Sequence, residues 1–206
     1  MIVDRRNISP KDLSKERLAL LVEEAGKAFL EKGYSGCSMD HISRASGVSK
    51  STIYRHFPDK EALYELVNER IADEQAALVM DFDLDLEDPG KSLRAYARHI
   101  YAVDTNPRFL EFFRLLLAEA GRLPNLTARL RERGIATVLG KLTGYFQALT
   151  DRKLMSHPDP RQAAVTFYVL ARGNFRPLLG VEFGPDEELR RLDIDIDIFL
   201  KGSGIP

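Results

Sequence analysis

The chain predicts an all-α protein of about nine helices, and three observations predict it. Apolar residues recur at three- and four-residue spacing along most of the length. Proline repeatedly opens a helical stretch directly behind Asp or Asn. Glycine or proline closes the stretches where the apolar pattern stops. The organisation is an N-terminal three-helix helix-turn-helix unit over residues 14–60 and a helical remainder over 61–206. A basic arm over 1–13, with Arg5, Arg6 and Lys11, precedes both.

Each element has its own signal. Leu18, Leu21, Val22, Ala25, Ala28 and Phe29 form the stripe of the first helix, which Gly33 ends. Ser38 caps a short second helix carrying Met39, Ile42 and Ala45, and Gly47 stops it. Ser49 caps a third, which Pro58 terminates. Asp59 caps a longer fourth with Leu63, Leu66, Val67 and Ile71 on one face. Asp88-Pro89 opens a helix with Leu93, Tyr96, Ala97 and Ile100. Asn106-Pro107 opens one to Gly121, and Asp159-Pro160 one to about Arg176. Between the last two, Asn125 caps a long segment with Leu126, Leu130, Val138, Leu142, Tyr145 and Leu149 inward. A final helix starts near Pro185. Two acidic alternations, DFDLDLED at 81–88 and LDIDIDIF at 192–199, have the period of a strand. An isolated strand pair in a helical chain is marginal. The first therefore reads as a helix end and acidic linker, and the second as a helix with Leu189, Leu192, Ile196 and Phe199 on one stripe.

Composition sets bounds on function. The 206 residues are 44% hydrophobic and 30% charged, enough for a core in one large or two small domains. A net charge of -1 argues neither for nor against a polyanionic partner, so local charge decides. Cys37 is the single cysteine, which excludes an intrachain disulfide and reads as a small residue in a turn. No run is long enough to span a bilayer and the N-terminus has no signal-peptide core, so the expectation is a cytoplasmic protein with no membrane partner.

The stretch GVSKSTIYRHFPDKEALYELV, residues 47–67, carries the chemistry. Two short helices joined by a tight glycine turn make a helix-turn-helix pattern. On the third helix Ile53 and Phe57, with Val48 before them, form one face that packs on Ile42, Ala45 and the first helix. Ser51, Thr52, Arg55 and His56 fall on the other side, flanked by Lys50 and Tyr54. Eight residues span about 12 Å at 1.5 Å each, comparable with a major groove about 12 Å wide. Between Ser38 and Lys60 the charges are Arg44, Lys50, Arg55 and Lys60 against Asp40 and Asp59, a mildly basic segment. The alternative is a helical hairpin whose polar face is merely wet.

The run from Ser38 to Leu66 resembles the TetR family of transcriptional regulators. It carries Ser38, Ile42-Ser43, Ala45-Ser46-Gly47-Val48-Ser49, Tyr54-Arg55-His56-Phe57 and Lys60-Glu61-Ala62-Leu63. It departs from the family pattern at Ser43 and Ser46, where alanine is usual, and at Ser51, where glycine is frequent. The resemblance implies double-stranded operator DNA, expected to be palindromic, as the partner. Ser38, Tyr54, His56 and Lys60 would hold phosphates. Lys50, Ser51 and Thr52 would face bases, and Arg55 would serve either duty; Arg44 and Ser49 complete the set.

The resemblance also implies a homodimer built on the last two long helices. Ala164, Tyr168, Ala171 and Phe175 with Leu189, Leu192, Ile196 and Phe199 are its candidate surface, the alternative being intramolecular core. From Arg108 to Leu179 the chain resembles the C-terminal domains of one TetR subgroup, through Ala118-Glu119-Ala120, Pro124, the segment from Leu142 to Phe146, Asp159-Pro160, Ala163-Ala164 and Phe167. The implied effector is a small, mainly apolar molecule. Tyr96, His99, Phe112, Phe113, Tyr145, Phe146, Phe167 and Asn174 are candidate contacts, as pocket wall or as plain core. Ligand would shift the population to a state in which the fourth helix moves and the recognition helices spread. No enzyme motif, cofactor or metal ligand set is expected, since His41, His56, His99 and His157 lie outside metal-ligand spacing. A helical interaction adaptor is the remaining alternative.

Overall fold

The computed structural model describes residues 13–173 and 184–206, with side chains outside 124–134 and 185. Among the described residues there are nine helices and no strand. They are α1 (Lys15–Gly36), α2 (Met39–Ser46), α3 (Lys50–His56), α4 (Lys60–Met80), α5 (Pro89–Asp104), α6 (Pro107–Glu119), α7 (Pro124–Asp151), α8 (Pro160–Ala171) and α9 (Pro185–Gly202). The chain divides into two compact units at Arg70 and Ile71, and α4 runs through the division.

The first unit is built on caps. Ser14, Ser38, Ser49 and Asp59 each accept from a backbone N–H in the first turn of the helix they open, satisfying one of its unpaired donors. Gly33 breaks α1 near its end at φ 70°, and Gly47 takes φ 67° in the turn between α2 and α3, conformations that favour glycine. Against expectation, Ala45 is exposed, and Ser46 takes the buried place on α2. Met39, Ile42 and Ser46 fall within one stripe of the wheel, and Ala45 falls well to its side.

The second unit centres on α5, α7, α8 and α9, with α8 packed on α7, α5 and α9. Leu93, Tyr96, Leu142, Phe146, Phe167, Ile196 and Phe199 are all buried in its core. The helix α7 begins at Pro124 with Leu123 as its uncapped neighbour, one residue before the expected Asn125 cap; proline at the first position lacks only an N–H that would go unpaired. The helix α8 closes at Ala171 rather than near Arg176, and Gly173 follows at φ 63°. The arm before Leu13, Asn174 and Phe175 lie outside the described residues.

The two acidic alternations resolve differently. Residues 81–88 form an extended segment in which Phe82, Leu84 and Leu86 are partly buried on the core, while Asp81, Asp83, Asp85 and Glu87 are exposed. Residues 192–199 lie within α9. Leu192, Ile196 and Phe199 enter the core, and Asp193 and Asp197 pair with Arg98 and Arg94 of α5 at 2.5 and 2.7 Å. Ile194 and Ile198 face outward.

Candidate nucleic-acid interface

Ile53 and Phe57 are buried, so the fixed inner face of α3 turns its opposite face outward. Ser51, Arg55 and His56 are exposed there, Thr52 is half-covered, and the Tyr54 ring remains 44% exposed. An exposed aromatic ring beside serine, arginine and histidine supplies donors and a flat apolar surface without a competing carboxylate on the same helix. Ser49 lies at the entrance; its Oγ accepts from the Thr52 N–H at 3.2 Å and lies 3.0 Å from Ser51 Oγ. Ser38 and Arg44 are exposed on the edges of α2.

The turn between the two helices is stapled by the two serines that replace the family's alanines. Ser43 Oγ donates to the Val48 carbonyl at 2.7 Å. Ser46 Oγ donates to the Ile42 carbonyl at 2.7 Å and accepts from the Val48 N–H at 3.3 Å. Two of these bonds tie Val48 in the turn back to α2.

Two lysines have partners that helical spacing does not disclose. Lys50 Nζ lies 3.0 Å from Asp40 Oδ1 and 3.2 Å from its Oδ2, so the carboxylate raises the lysine's pKa and holds the ammonium at the start of α3. Lys60 Nζ donates to the Tyr34 and Cys37 carbonyls at 2.7 and 3.0 Å and lies 4.2 Å from the centre of the Tyr34 ring. Its ammonium therefore caps the end of α1. Both carbonyls lack other helical partners, and the phosphate contact expected of this side chain would draw on the same ammonium.

The expected effector contacts separate into two groups. Tyr96, Tyr145, Phe146 and Phe167 share one core, with Tyr96 6.3 Å and Phe146 5.9 Å from Phe167 between ring centres. His99 adjoins Tyr96 and donates through Nε2 to the Leu78 carbonyl at 2.8 Å. Phe112 and Phe113 pack on each other in α6, outside that core cluster. Burial pushes the Tyr145 hydroxyl up to about 12, and pushes Tyr96 up further. Among the described residues, no group of three His, Cys, Asp or Glu side chains is placed to hold a metal ion, and no helix is long and apolar enough to cross a membrane.

The expected dimer residues are mostly internal. Ala164, Tyr168, Ala171, Leu192, Ile196 and Phe199 are buried within the single chain, and Leu189 is half-covered. The outward apolar positions on α8 and α9 are Val169, Ile194 and Ile198, which are 62%, 58% and 65% exposed. The stripe with the most apolar residues faces the chain's own core, which is the alternative that the sequence left open.

Comparison with known proteins agrees with this geometry. The family described as "Bacterial regulatory proteins, tetR family" matches residues 21–67. The one described as "AefR-like transcriptional repressor, C-terminal domain" matches residues 91–201, more than half of the chain. The HTH-type transcriptional activator FasR of Mycolicibacterium smegmatis is 39% identical over 69 residues, covering 34% of this chain and 30% of FasR. The chain thus spans under a third of the length of the curated relatives it matches first. A TetR-family transcriptional regulator structure from Mesorhizobium loti is 28% identical at a TM-score of 0.76, covering 95% of this chain and 100% of that one. The structure named Flavonoid-responsive Regulator FrrA is 29% identical at a TM-score of 0.73, covering 92% and 97%. With its N-terminal helix-turn-helix and its C-terminal domain both matched, the chain belongs to the TetR family of DNA-binding transcriptional regulators.

Proposed function

We propose that this protein is a homodimeric repressor that binds a palindromic operator and leaves it when a small, mainly apolar effector binds the second unit. The observation that carries the DNA-reading half is the outer face of α3, where Ser51, Tyr54, Arg55 and His56 stand exposed opposite the buried Ile53 and Phe57. Seven helical residues make few contacts, so two copies reading successive major grooves about 34–36 Å apart are needed for a stable complex. Val169, Ile194 and Ile198 are the apolar surface on which a second copy would close.

The repressor reading draws on the description of the family matched over residues 91–201. The activator FasR supports the opposite sign of regulation, which a reporter gene distinguishes. The aromatic core around Tyr96 and Phe167 and the name of FrrA together favour an aromatic effector, with a flavonoid as the first probe. Signal would travel along α4, which starts beside α3 and ends in the second unit.

Fluorescence anisotropy with labelled DNA flanking the protein's own gene tests this. The expected result is binding at nanomolar protein, typical of specific sites, lost on adding naringenin. Tight binding that naringenin and a wider panel of aromatic ligands leave unchanged would remove the effector half. Equal affinity for operator and random DNA would remove the sequence-specific half.

A further inference from the structure

The end of α4 is held by side chains from elsewhere in the second unit. The last four carbonyls of a helix have no partner within it, and the last turn of α4 has no basic residue of its own. The Asp81 N–H donates to the Leu78 carbonyl at 3.2 Å and the Phe82 N–H to the Met80 carbonyl at 2.9 Å, and two other helices add a second donor to each. His99 Nε2, from α5, donates to the Leu78 carbonyl at 2.8 Å. Lys141 Nζ, from α7, donates to the Met80 carbonyl at 2.8 Å and to the Phe82 carbonyl one step further on.

The segment that follows lies as a strap. Residues 81–88 have no strand partner, and their backbone is fastened by side chains. The Tyr145 hydroxyl donates to the Asp85 carbonyl, and the Asp85 N–H donates to Ser92 Oγ at 2.8 Å. The Phe82 ring lies across Tyr96 and His99, at 5.0 and 5.3 Å between centres. Beneath it Tyr96 is 0% exposed, and its hydroxyl has no hydrogen-bond partner among the described residues. A buried hydroxyl left unpaired weakens the fold, whereas phenylalanine would fill the same space without that cost. The Lys141 ammonium stands 5.4 Å from the centre of the Tyr96 ring.

We propose that the effector site lies under this strap, and that its ligand is a flat aromatic molecule carrying an anionic or strongly accepting oxygen. The ligand ring replaces Phe82 on Tyr96. Its oxygen takes the idle Tyr96 hydroxyl and draws Lys141 away from the Met80 and Phe82 carbonyls. Binding thereby removes the lysine's share of the α4 cap, and the same lysine that recognises the ligand loosens the end of the helix. The inference rests on the ligand-released reading above and names the ligand class and the residue that senses it.

The test uses the full chain without DNA, so that it stands apart from operator binding. 2-Naphthoate is the probe and decahydronaphthalene-2-carboxylate its saturated counterpart, both measured by calorimetry and by hydrogen exchange over residues 78–86. Wild type is expected to bind 2-naphthoate at least about tenfold tighter than the saturated acid, with exchange in 78–86 accelerated on binding. Lys141→Met is expected to show that fast exchange without probe, and to bind the probe about tenfold more weakly. Tyr96→Phe covers the case in which Lys141→Met fails to fold. It is expected to melt higher than wild type and yet lose probe affinity, a combination that a merely structural tyrosine would not give. No 2-naphthoate binding to wild type, equal binding of both acids, wild-type probe affinity in Tyr96→Phe, or unchanged exchange in Lys141→Met would each overturn the proposal. Failure of the repressor reading appears elsewhere, as wild type that ignores operator DNA.

Discussion

At the residue scale, two lysines at the starts of neighbouring helices have different surroundings. Lys50 rests against an exposed aspartate on the outer surface, a contact worth little in water, which leaves it able to serve the proposed DNA contact. Lys50→Ala is expected to weaken operator binding about tenfold and relax base preference at one position. His56→Ala is expected to weaken operator and random DNA alike, as a phosphate contact does. Competition anisotropy on both DNAs separates the two. Lys60 is bound to two carbonyls, so Lys60→Met is expected to destabilise the chain by about 1–3 kcal/mol in urea unfolding. Cys37 is buried and its thiol is pushed up by desolvation, against the pull of Lys60 and Lys32. It is expected to stay protonated at pH 7.5 and to react with iodoacetamide at least about tenfold slower than free cysteine, as followed by mass spectrometry.

At the element scale, starts and stops were legible because they are local chemistry. Ser38, Ser49, Asp59, Asp88, Asn106 and Asp159 all cap the helices that follow them, and Gly47 occupies the left-handed turn position expected of it. Gly47→Ala is expected to cost about 1–2 kcal/mol, because a Cβ at that φ meets its own carbonyl. Circular dichroism during urea unfolding measures it. What the sequence did not disclose lies at long separation. The ladder from Arg94 and Arg98 to Asp197 and Asp193 joins positions about a hundred residues apart, on the flank of the α9 stripe that enters the core. Lys141, Tyr145 and Ser92 likewise fasten a strap that reads in one dimension only as an acidic linker. The alternation itself was informative, since Phe82, Leu84 and Leu86 do face inward. It lacked only a neighbouring strand.

At the scale of the whole molecule, the helix-turn-helix was legible and the packing of the last two helices was not. The helix-turn-helix is a short segment whose fold and chemistry are written in consecutive residues. The proposed dimer surface depends on which apolar residues α8 and α9 keep for the core, and that choice is made by packing. With Val169, Ile194 and Ile198 outward, Ile194→Glu with Ile198→Glu is expected to leave the helical content intact while yielding monomer in sedimentation analysis. The Asp104 carboxylate, held by Gln75 and Arg172 at 2.6 Å each, ties α4, α5 and the end of α8 together. Asp104→Ala leaves Arg172 half-buried without its partner and is expected to cost about 3 kcal/mol in thermal unfolding.

The central claim is that α3, presented twice by a dimer, reads a specific DNA sequence. Selection of binding sites from randomised duplex DNA by the full chain tests it most directly. The expected result is enrichment of an inverted repeat whose half-sites lie about one helical turn apart, with half-site information lost when Lys50 and Tyr54 are both changed to alanine. Recovery of no enriched sequence, or of the same repeat by the double variant, would contradict it.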